Sequence, residues 1–165
     1  MQNNENNLNQ NIPESVWADG CPEVVKEEDK IPAQELLAMA INYVVENCVV
    51  PKGFKLEHGY PNLNFPNIIM KRDGVLYAVV VFPSIYPQYA IMQDKFRIDF
   101  VKQSKEKGIN PLFAPVGYKS IDPERAKAGL TLRGDVFQTS FPGFIVLNDE
   151  EKFNYSVKPE DLFRP

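Results

Sequence analysis

The feature that most constrains the fold is Val75–Phe82, a run in which every side chain is aliphatic or aromatic. A strand with one face in water alternates polar and apolar residues, so this run predicts a central strand covered by helices on both faces. The run follows Arg72-Asp73-Gly74, and an Asp-Gly pair tolerates the positive φ angles of a tight hairpin turn. Residues 67–72 are therefore predicted to form the preceding strand of a hairpin.

The first half of the chain carries a strong helix signal. From Pro32 to Val49, apolar side chains recur at the spacing of one helical face. Proline suits the first helical position, and Pro51 with Gly53 marks the end. A short strand is predicted next, over Phe54–His58.

A second helix is predicted from Met92 to Lys107, after a linker that contains two prolines. Phe96, Phe100 and Val101 are expected to face inward, and the basic side chains of this helix are expected to face outward. The glycine at position 108 is placed to end the helix in the left-handed conformation.

The remaining elements are shorter. A strand is predicted over residues 109–116, where Pro111 and Pro115 indicate irregular ends or an edge position. Asp122 followed by a proline predicts a short helix that ends at glycine 129. A last strand is predicted over residues 141–147, and residues 159–162 favour one more helical turn.

These elements give the order helix, strand, strand, strand, helix, strand, helix, strand. The predicted class is α/β, bordering on α+β, with a mixed central sheet of four to six strands flanked by helices. A chain of 165 residues fits one domain. We expect residues 1–11, which are almost wholly Asn, Gln and Glu, to be a disordered tail, and residues 12–165 to form a single domain with its core at about 32–147. Whether residues 12–30 complete that domain is open.

Composition indicates an ordinary cytoplasmic protein. No apolar run reaches the ~18 residues of a membrane helix, and the N-terminus lacks the basic and apolar regions of a signal peptide. Cys21 and Cys48 have no CxxC spacing, so two reduced thiols are favoured, although one disulfide is possible. We expect no membrane association.

Charge is distributed unevenly along the chain. The net charge is −4, yet residues 71–133 carry 11 basic and 6 acidic side chains. This excess indicates either a solvated helix face or a surface for an anionic partner such as nucleic acid. The candidate binding residues are Lys71, Arg72, Lys95, Arg97, Lys102 and Lys105.

Common catalytic and cofactor motifs are absent. The chain has neither glycine-rich phosphate loop nor the nucleophile elbow GxSxG. His58 is the only histidine, and its neighbour Glu57 would face the opposite side of a strand. We expect no metal and no cofactor. The aromatic residues Phe82, Tyr86, Tyr89 and Tyr118 form either a stacking surface or part of the core and its rim.

The element order and the segment Pro66–Phe82 resemble the PD-(D/E)xK superfamily, the restriction-endonuclease-like fold, over about residues 32–147. The resemblance implies that one strand opens with Pro-Asp and the next carries Asp/Glu-x-Lys. In that family the carboxylates hold Mg²⁺ and the lysine helps to position the attacking water.

The segment departs from that motif at each chemical position. Asn67, Val80 and Phe82 stand where the first acid, the second acid and the lysine belong. These side chains offer no anionic oxygen to a hard cation and no charge to activate water. Glu35 or Glu46 is a possible counterpart of the family's acid on the first helix, but one carboxylate is not a metal site. We therefore expect no catalytic residues.

The resulting hypothesis is a non-catalytic binding or scaffolding module on a degenerate nuclease-like fold, with nucleic acid or a protein as partner. An acidic, secretion-chaperone-like module is the structural alternative, and an enzyme of unrecognised chemistry is the second. Basic residues on one face would favour nucleic acid, whereas an exposed apolar patch would favour a protein. A pocket gathering Glu57, His58 and a tyrosine would favour an enzyme. The oligomeric state is open.

Overall fold

The computed structural model describes residues 26–149 and 155–163. Its helices are α1 (Ala33–Val44), α2 (Asp94–Glu106), α3 (Pro123–Ala128) and α4 (Pro159–Leu162). Its strands are β1 (Lys55–Leu56), β2 (Ile68–Arg72), β3 (Val75–Ile85), β4 (Ala90–Met92), β5 (Asn110–Ser120), β6 (Phe137–Ser140), β7 (Ile145–Val146) and β8 (Tyr155–Val157).

The main sheet is mixed and has the strand order β1-β2-β3-β5-β6, with β7 also paired to β5. Strands β1, β2 and β3 are antiparallel neighbours, whereas β3 and β5 are parallel. A parallel pair needs a crossover, and α2 lies in the connection between these strands. Strands β6 and β7 both run antiparallel to β5. This is the mixed α/β architecture that the sequence predicts.

Each face of the sheet carries its own apolar cluster. On one face α1 packs against β2, β3 and β5, with Ala40 and Val44 fully buried against Val79 and Val81. On the other face, Phe100 and Val101 of α2 pack against the alternate residues of β3. Because strand side chains alternate between faces, the apolar run of β3 serves both clusters, as predicted.

The predicted hairpin and caps are confirmed. Asp73 and Gly74 both have positive φ angles, 52° and 80°, between β2 and β3. Asp122 caps α3, because its carboxylate accepts hydrogen bonds from the N–H groups of Glu124 and Arg125 at 2.9 and 3.0 Å. The left-handed residue Gly129 then ends that helix.

The structure corrects the sequence prediction for β5. This strand runs to Ser120 and lies inside the sheet, although its prolines indicated an edge. Pro115 falls between the stretches of β5 that pair with β7 and with β6, where no strand lies on that side. A missing N–H is tolerated at such a position. The predicted strand at 141–147 is likewise divided, since β6 precedes residue 141 and β7 covers only Ile145–Val146.

Other predictions are settled only in part. The first helix changes to a π-helical turn at Val45–Val49. Residues 29–31 are part of the fold, since Ile31 donates a backbone hydrogen bond to Thr131 and Lys30 forms an isolated antiparallel β-bridge with Leu132.

The expected tail at 1–11 and residue Cys21 lie outside the described residues. Cys48 is a buried free thiol. None of the described helices has the length and apolar character needed to cross a membrane.

Candidate functional site

Asn67, which stands where a nuclease of the resembled family has its first acid, is fully buried directly before β2. Its Oδ1 accepts a hydrogen bond of 2.8 Å from the backbone N–H of Val81. Its Nδ2 donates to the carbonyl oxygens of Asn62 and Asn64 at 3.3 and 3.4 Å. The amide is used as both donor and acceptor, and an ionised carboxylate can only accept.

The other two motif positions, 80 and 82, are occupied by apolar side chains that pack against their neighbours. Val80 is buried in the apolar cluster beneath α2. Phe82 is half-buried, and its ring meets the ring of Phe113 edge to face with centroids 6.1 Å apart. Residues two apart on a strand share a face, so both side chains point toward α2. Neither residues 67–70 nor residues 79–82 include an acid.

The acidic candidates of the first helix do not complete a metal site. Glu35 forms an exposed bidentate pair with Arg133 at 2.8 and 3.0 Å, and hydrogen bonding from that guanidinium lowers the pKa of the carboxyl. Glu46 is exposed. Among residues 26–149 and 155–163, no three His, Cys, Asp or Glu side chains are grouped to hold a metal ion.

The prediction that Arg97 belongs to an exposed basic surface is wrong. Its side chain is only 1% exposed, because residues 97, 100, 101 and 104 form the stripe of α2 that faces the sheet. Its charge is compensated by Asp94 at 2.9 Å and by the backbone carbonyl of Asn148. Phe96, expected to face inward, is 38% exposed instead. Phe100 and Val101 face inward as predicted, so the buried stripe of α2 differs from the prediction in having Arg97 where Phe96 was expected.

The remaining basic candidates do not share one face. The guanidinium of Arg72 lies 4.3 Å from the ring centroid of Phe54, which packs against the α1 cluster. Lys71 is adjacent on β2 and therefore points to the opposite face, the side of α2. The three remaining lysines, Lys95, Lys102 and Lys105, are exposed on α2. Two acidic side chains, Asp99 and Glu106, are exposed on the same helix and offset part of their charge.

The exposed feature nearest Asn67 is aromatic. The ring of Phe65 meets that of Phe96 edge to face at 5.3 Å, and Phe96 stacks on Phe100 at 6.2 Å. Phe65 is 52% exposed, and Leu63 in the same loop is also exposed. We call the two rings in contact, Phe65 and Phe96, the aromatic ledge.

Asn67 also holds the loop that carries the ledge. Besides its two bonds to loop carbonyls, its own carbonyl accepts from the N–H of Asn62 at 2.9 Å. Asn62 Oδ1 in turn accepts from the N–H of Asn64 at 2.9 Å, and Asn62 Nδ2 donates to Gly59. The loop is therefore fixed by its own amides, and Phe65 is presented on a braced segment. The repeated asparagines at 62, 64 and 67 are the sequence signal that could have indicated it.

The other predicted features do not converge. His58 is exposed, and Glu57 lines an open depression at the β1–β2 end of the sheet that has no tyrosine in its lining. The tyrosines are dispersed, since Tyr118 is buried beneath α1 whereas Tyr89 is exposed. Burial raises the pKa of Tyr118, and its hydroxyl has no hydrogen-bond partner within the described residues.

Comparison with known proteins gives a family but no function. The family model of DUF8840, a domain of unknown function, matches residues 34–147, and the chain therefore belongs to this family. No curated protein and no solved structure matches the chain significantly.

Proposed function

We propose that this member of the DUF8840 family is a non-catalytic binding module that holds a protein partner on the aromatic ledge. The proposal includes a degenerate restriction-endonuclease-like origin for the scaffold. The hairpin of β2 and β3, followed by α2 and a strand parallel to β3, supports that resemblance. Element order is shared by many α/β domains, so the function has to be inferred from the site.

The observation that carries the proposal is the bonding of Asn67. All three side-chain hydrogen bonds go to the backbone, and they join β3 to the loop of the ledge. A carboxylate here would face two carbonyl oxygens, and its own oxygens would repel them. The position that would hold a cation in a nuclease therefore serves to present Phe65.

A protein partner fits the surface better than nucleic acid. The ledge brings together two rings in contact that are each more than a third exposed, and contiguous apolar patches mark protein-binding sites. Aromatic residues are also the anchors that dominate binding energy at protein interfaces. The basic candidates are divided between two faces of the sheet or buried, and the net charge of −4 disfavours a polyanion.

The non-catalytic part of the proposal is tested by incubating the protein with single-stranded and double-stranded DNA and RNA, with Mg²⁺ or Mn²⁺. We expect no cleavage. Metal-dependent cleavage that disappears on Glu35→Gln, Glu46→Gln or Glu57→Gln would overturn it.

The binding part is tested by placing the photoreactive residue p-benzoylphenylalanine at position 65 in cells that make the protein. Position 89, an exposed tyrosine, is the matched control. We expect one partner to be cross-linked from position 65 and not from position 89. With that partner purified, Phe65→Ala and Phe96→Ala should each weaken binding by about tenfold or more.

Val146→Ala removes an exposed apolar side chain from β7, on the far side of β5 from β1, and should leave the affinity unchanged. Equal cross-linking from both positions, or a partner indifferent to Phe65 and Phe96, would contradict a role for the ledge.

A further inference from the structure

Lys55 on β1 and Lys71 on β2 are directly opposite each other in the antiparallel pair. Both side chains are exposed, and neither forms an ion pair within the part of the chain that the structure describes. Like charges at directly opposed positions repel and destabilise a sheet. We call these two residues the lysine pair.

The need to protect the edge of the sheet from pairing with another chain explains Lys55 but not Lys71. Lysine on an edge strand discourages pairing with another chain, and Lys55 lies on the edge strand β1. Lys71 lies on β2, which has neighbours on both sides, so it has no edge to protect. Its position opposite a second ammonium group therefore needs another explanation, such as an anion that binds between them.

The surroundings of the lysine pair favour a carboxylate over a phosphate chain. Both lysines line a depression of about 510 Å³ together with Arg72, Glu57 and Asp73. Arg72 is fixed in place, because it stacks on an aromatic ring and donates to the carbonyl of Lys52 at 3.2 Å. Arg72 points to the opposite face of the sheet and pairs with Asp73 at 4.0 Å. The lysine pair and Glu57 therefore leave one net positive charge, which suits one carboxylate. A nucleic acid would bring further phosphates against Glu57 and Asp73.

The lysine pair lies along the same face of the sheet as the aromatic ledge. Ile69 packs against the cluster beneath α2, and Lys71, two residues later, points to the same side. The ledge is at the start of β2, beside Asn67. Lys71 is the fourth residue after Asn67 along the strand, a distance of roughly 13 Å. An extended peptide of about four to six residues spans this distance.

We infer that the partner segment is acidic: it seats an apolar side chain on the aromatic ledge and a carboxylate, about four to six residues away, between Lys55 and Lys71. The inference rests on the proposed protein-binding function and adds the chemistry of the partner to it. The ledge supplies the apolar anchor, and the lysine pair supplies orientation and salt dependence.

The test follows the side-chain Cε signals of individual lysines by NMR while a hexapeptide of the inferred chemistry is added to the full chain. Its sequence is LAAAAE with both ends blocked, so it carries one apolar anchor and one carboxylate. Lys102 and Lys127 are the matched controls, since both are exposed lysines on helices away from β1. We expect Lys55 and Lys71 to respond at concentrations about fivefold or more below those needed for the controls. Lys71→Gln should reduce the response of Lys55 to that of the controls, whereas Lys102→Gln should leave it unchanged.

Two further probes give the alternative outcomes. The blocked peptide LAAAAQ, which lacks the carboxylate, should produce no selective response, and octathymidylate should bind Lys55 and Lys71 less selectively than LAAAAE. Uniform response of all exposed lysines, or a stronger selective response to octathymidylate, would overturn the acidic-segment inference. Cross-linking from position 65 would be unaffected by that result, so the failure of this inference and the failure of the proposed function are distinguishable.

Discussion

The polar side chains at the two ends of β2 differ in burial and in whether they have bonding partners. At its start, Asn67 is buried and its side-chain amide donates two hydrogen bonds and accepts one. At its end, Lys71 is exposed opposite another lysine, and neither ammonium group has an ion-pair partner within the described residues. A satisfied buried group is stabilising, whereas a repelling pair is tolerated only at a cost.

The two ends of β2 therefore differ in role: the buried side chains at its start stabilise the fold, whereas the exposed side chains at its end are accessible to a partner. The position that would be catalytic in a nuclease is filled by packing and by an amide that braces a loop. The surface beside it, from Phe65 to Lys71, keeps exposed rings and uncompensated charge. The proposed binding function depends on these exposed groups.

The largest effect is expected at the buried end. Asn67→Asp should lower the free energy of unfolding at pH 7 by about 3–5 kcal/mol. One oxygen of the buried carboxylate would keep the Val81 N–H as its donor, but the other would face two carbonyl oxygens. Urea unfolding followed by circular dichroism measures the loss. Asn64→Asp is the control, since the Asn64 side chain is exposed and should tolerate the change. Equal stability of Asn67→Asp and the parent would mean that the position accepts an acid after all.

The aromatic ledge should contribute much less to stability than a buried ring. Phe65→Ala and Phe96→Ala are each expected to cost about 1 kcal/mol or less, since much of each ring is already in water. Phe113→Ala, at a fully buried position on β5 beneath α2, should cost about 3–5 kcal/mol. Thermal unfolding of the three variants compares them. A loss at Phe65 as large as that at Phe113 would make the ledge part of the core.

A gain is expected at the lysine pair. Lys71→Gln should raise the free energy of unfolding by roughly 0.2–1 kcal/mol at low salt, because it removes a directly opposed like charge. The gain should shrink as salt is added, because salt screens exposed charges. Lys102→Gln provides the comparison at a site without an opposed lysine. Destabilisation by Lys71→Gln would show that the lysine is held by a favourable contact.

The smallest effect is expected at Glu35. The Arg133 guanidinium lowers the pKa of this carboxyl in the folded state, so the pair stabilises the fold above the ordinary carboxyl pKa. That contribution is lost as pH falls through the lowered pKa of the folded state. Both side chains are half exposed, so the effect is small. Glu35→Gln should remove this part of the pH dependence in urea unfolding, with Glu46→Gln as the control. An unchanged pH profile would argue against the pair.

Local sequence signals predicted the elements but not their surroundings. The hairpin at Asp73-Gly74 and the cap at Asp122 depend on residues adjacent in sequence, and both are confirmed. The orientation of α2 depends on distant partners. Arg97 donates a hydrogen bond to the carbonyl of Asn148, 51 residues later. The ring of Phe96 contacts that of Phe65, which lies in the loop before β2. A helical wheel counts such an arginine as exposed and such a phenylalanine as buried.

The candidate site divides in the same way. The replacements at Asn67, Val80 and Phe82 could be read directly from the sequence. The aromatic ledge and the lysine pair could not, because each joins residues from two elements whose pairing is fixed only by the folded sheet. The strand register that opposes Lys55 to Lys71 has no signature within the two-residue strand β1.

The most direct test of the central claim is Mn²⁺ titration of the ¹⁵N-labelled protein, followed by paramagnetic broadening of its backbone amide signals. The account predicts no selective broadening at Asn67 or at residues 79–82, because no anionic oxygen is available there for a hard cation. Selective broadening centred on Asn67 and Val80 at low Mn²⁺ concentration would show that a cation binds at this position, and would contradict the account.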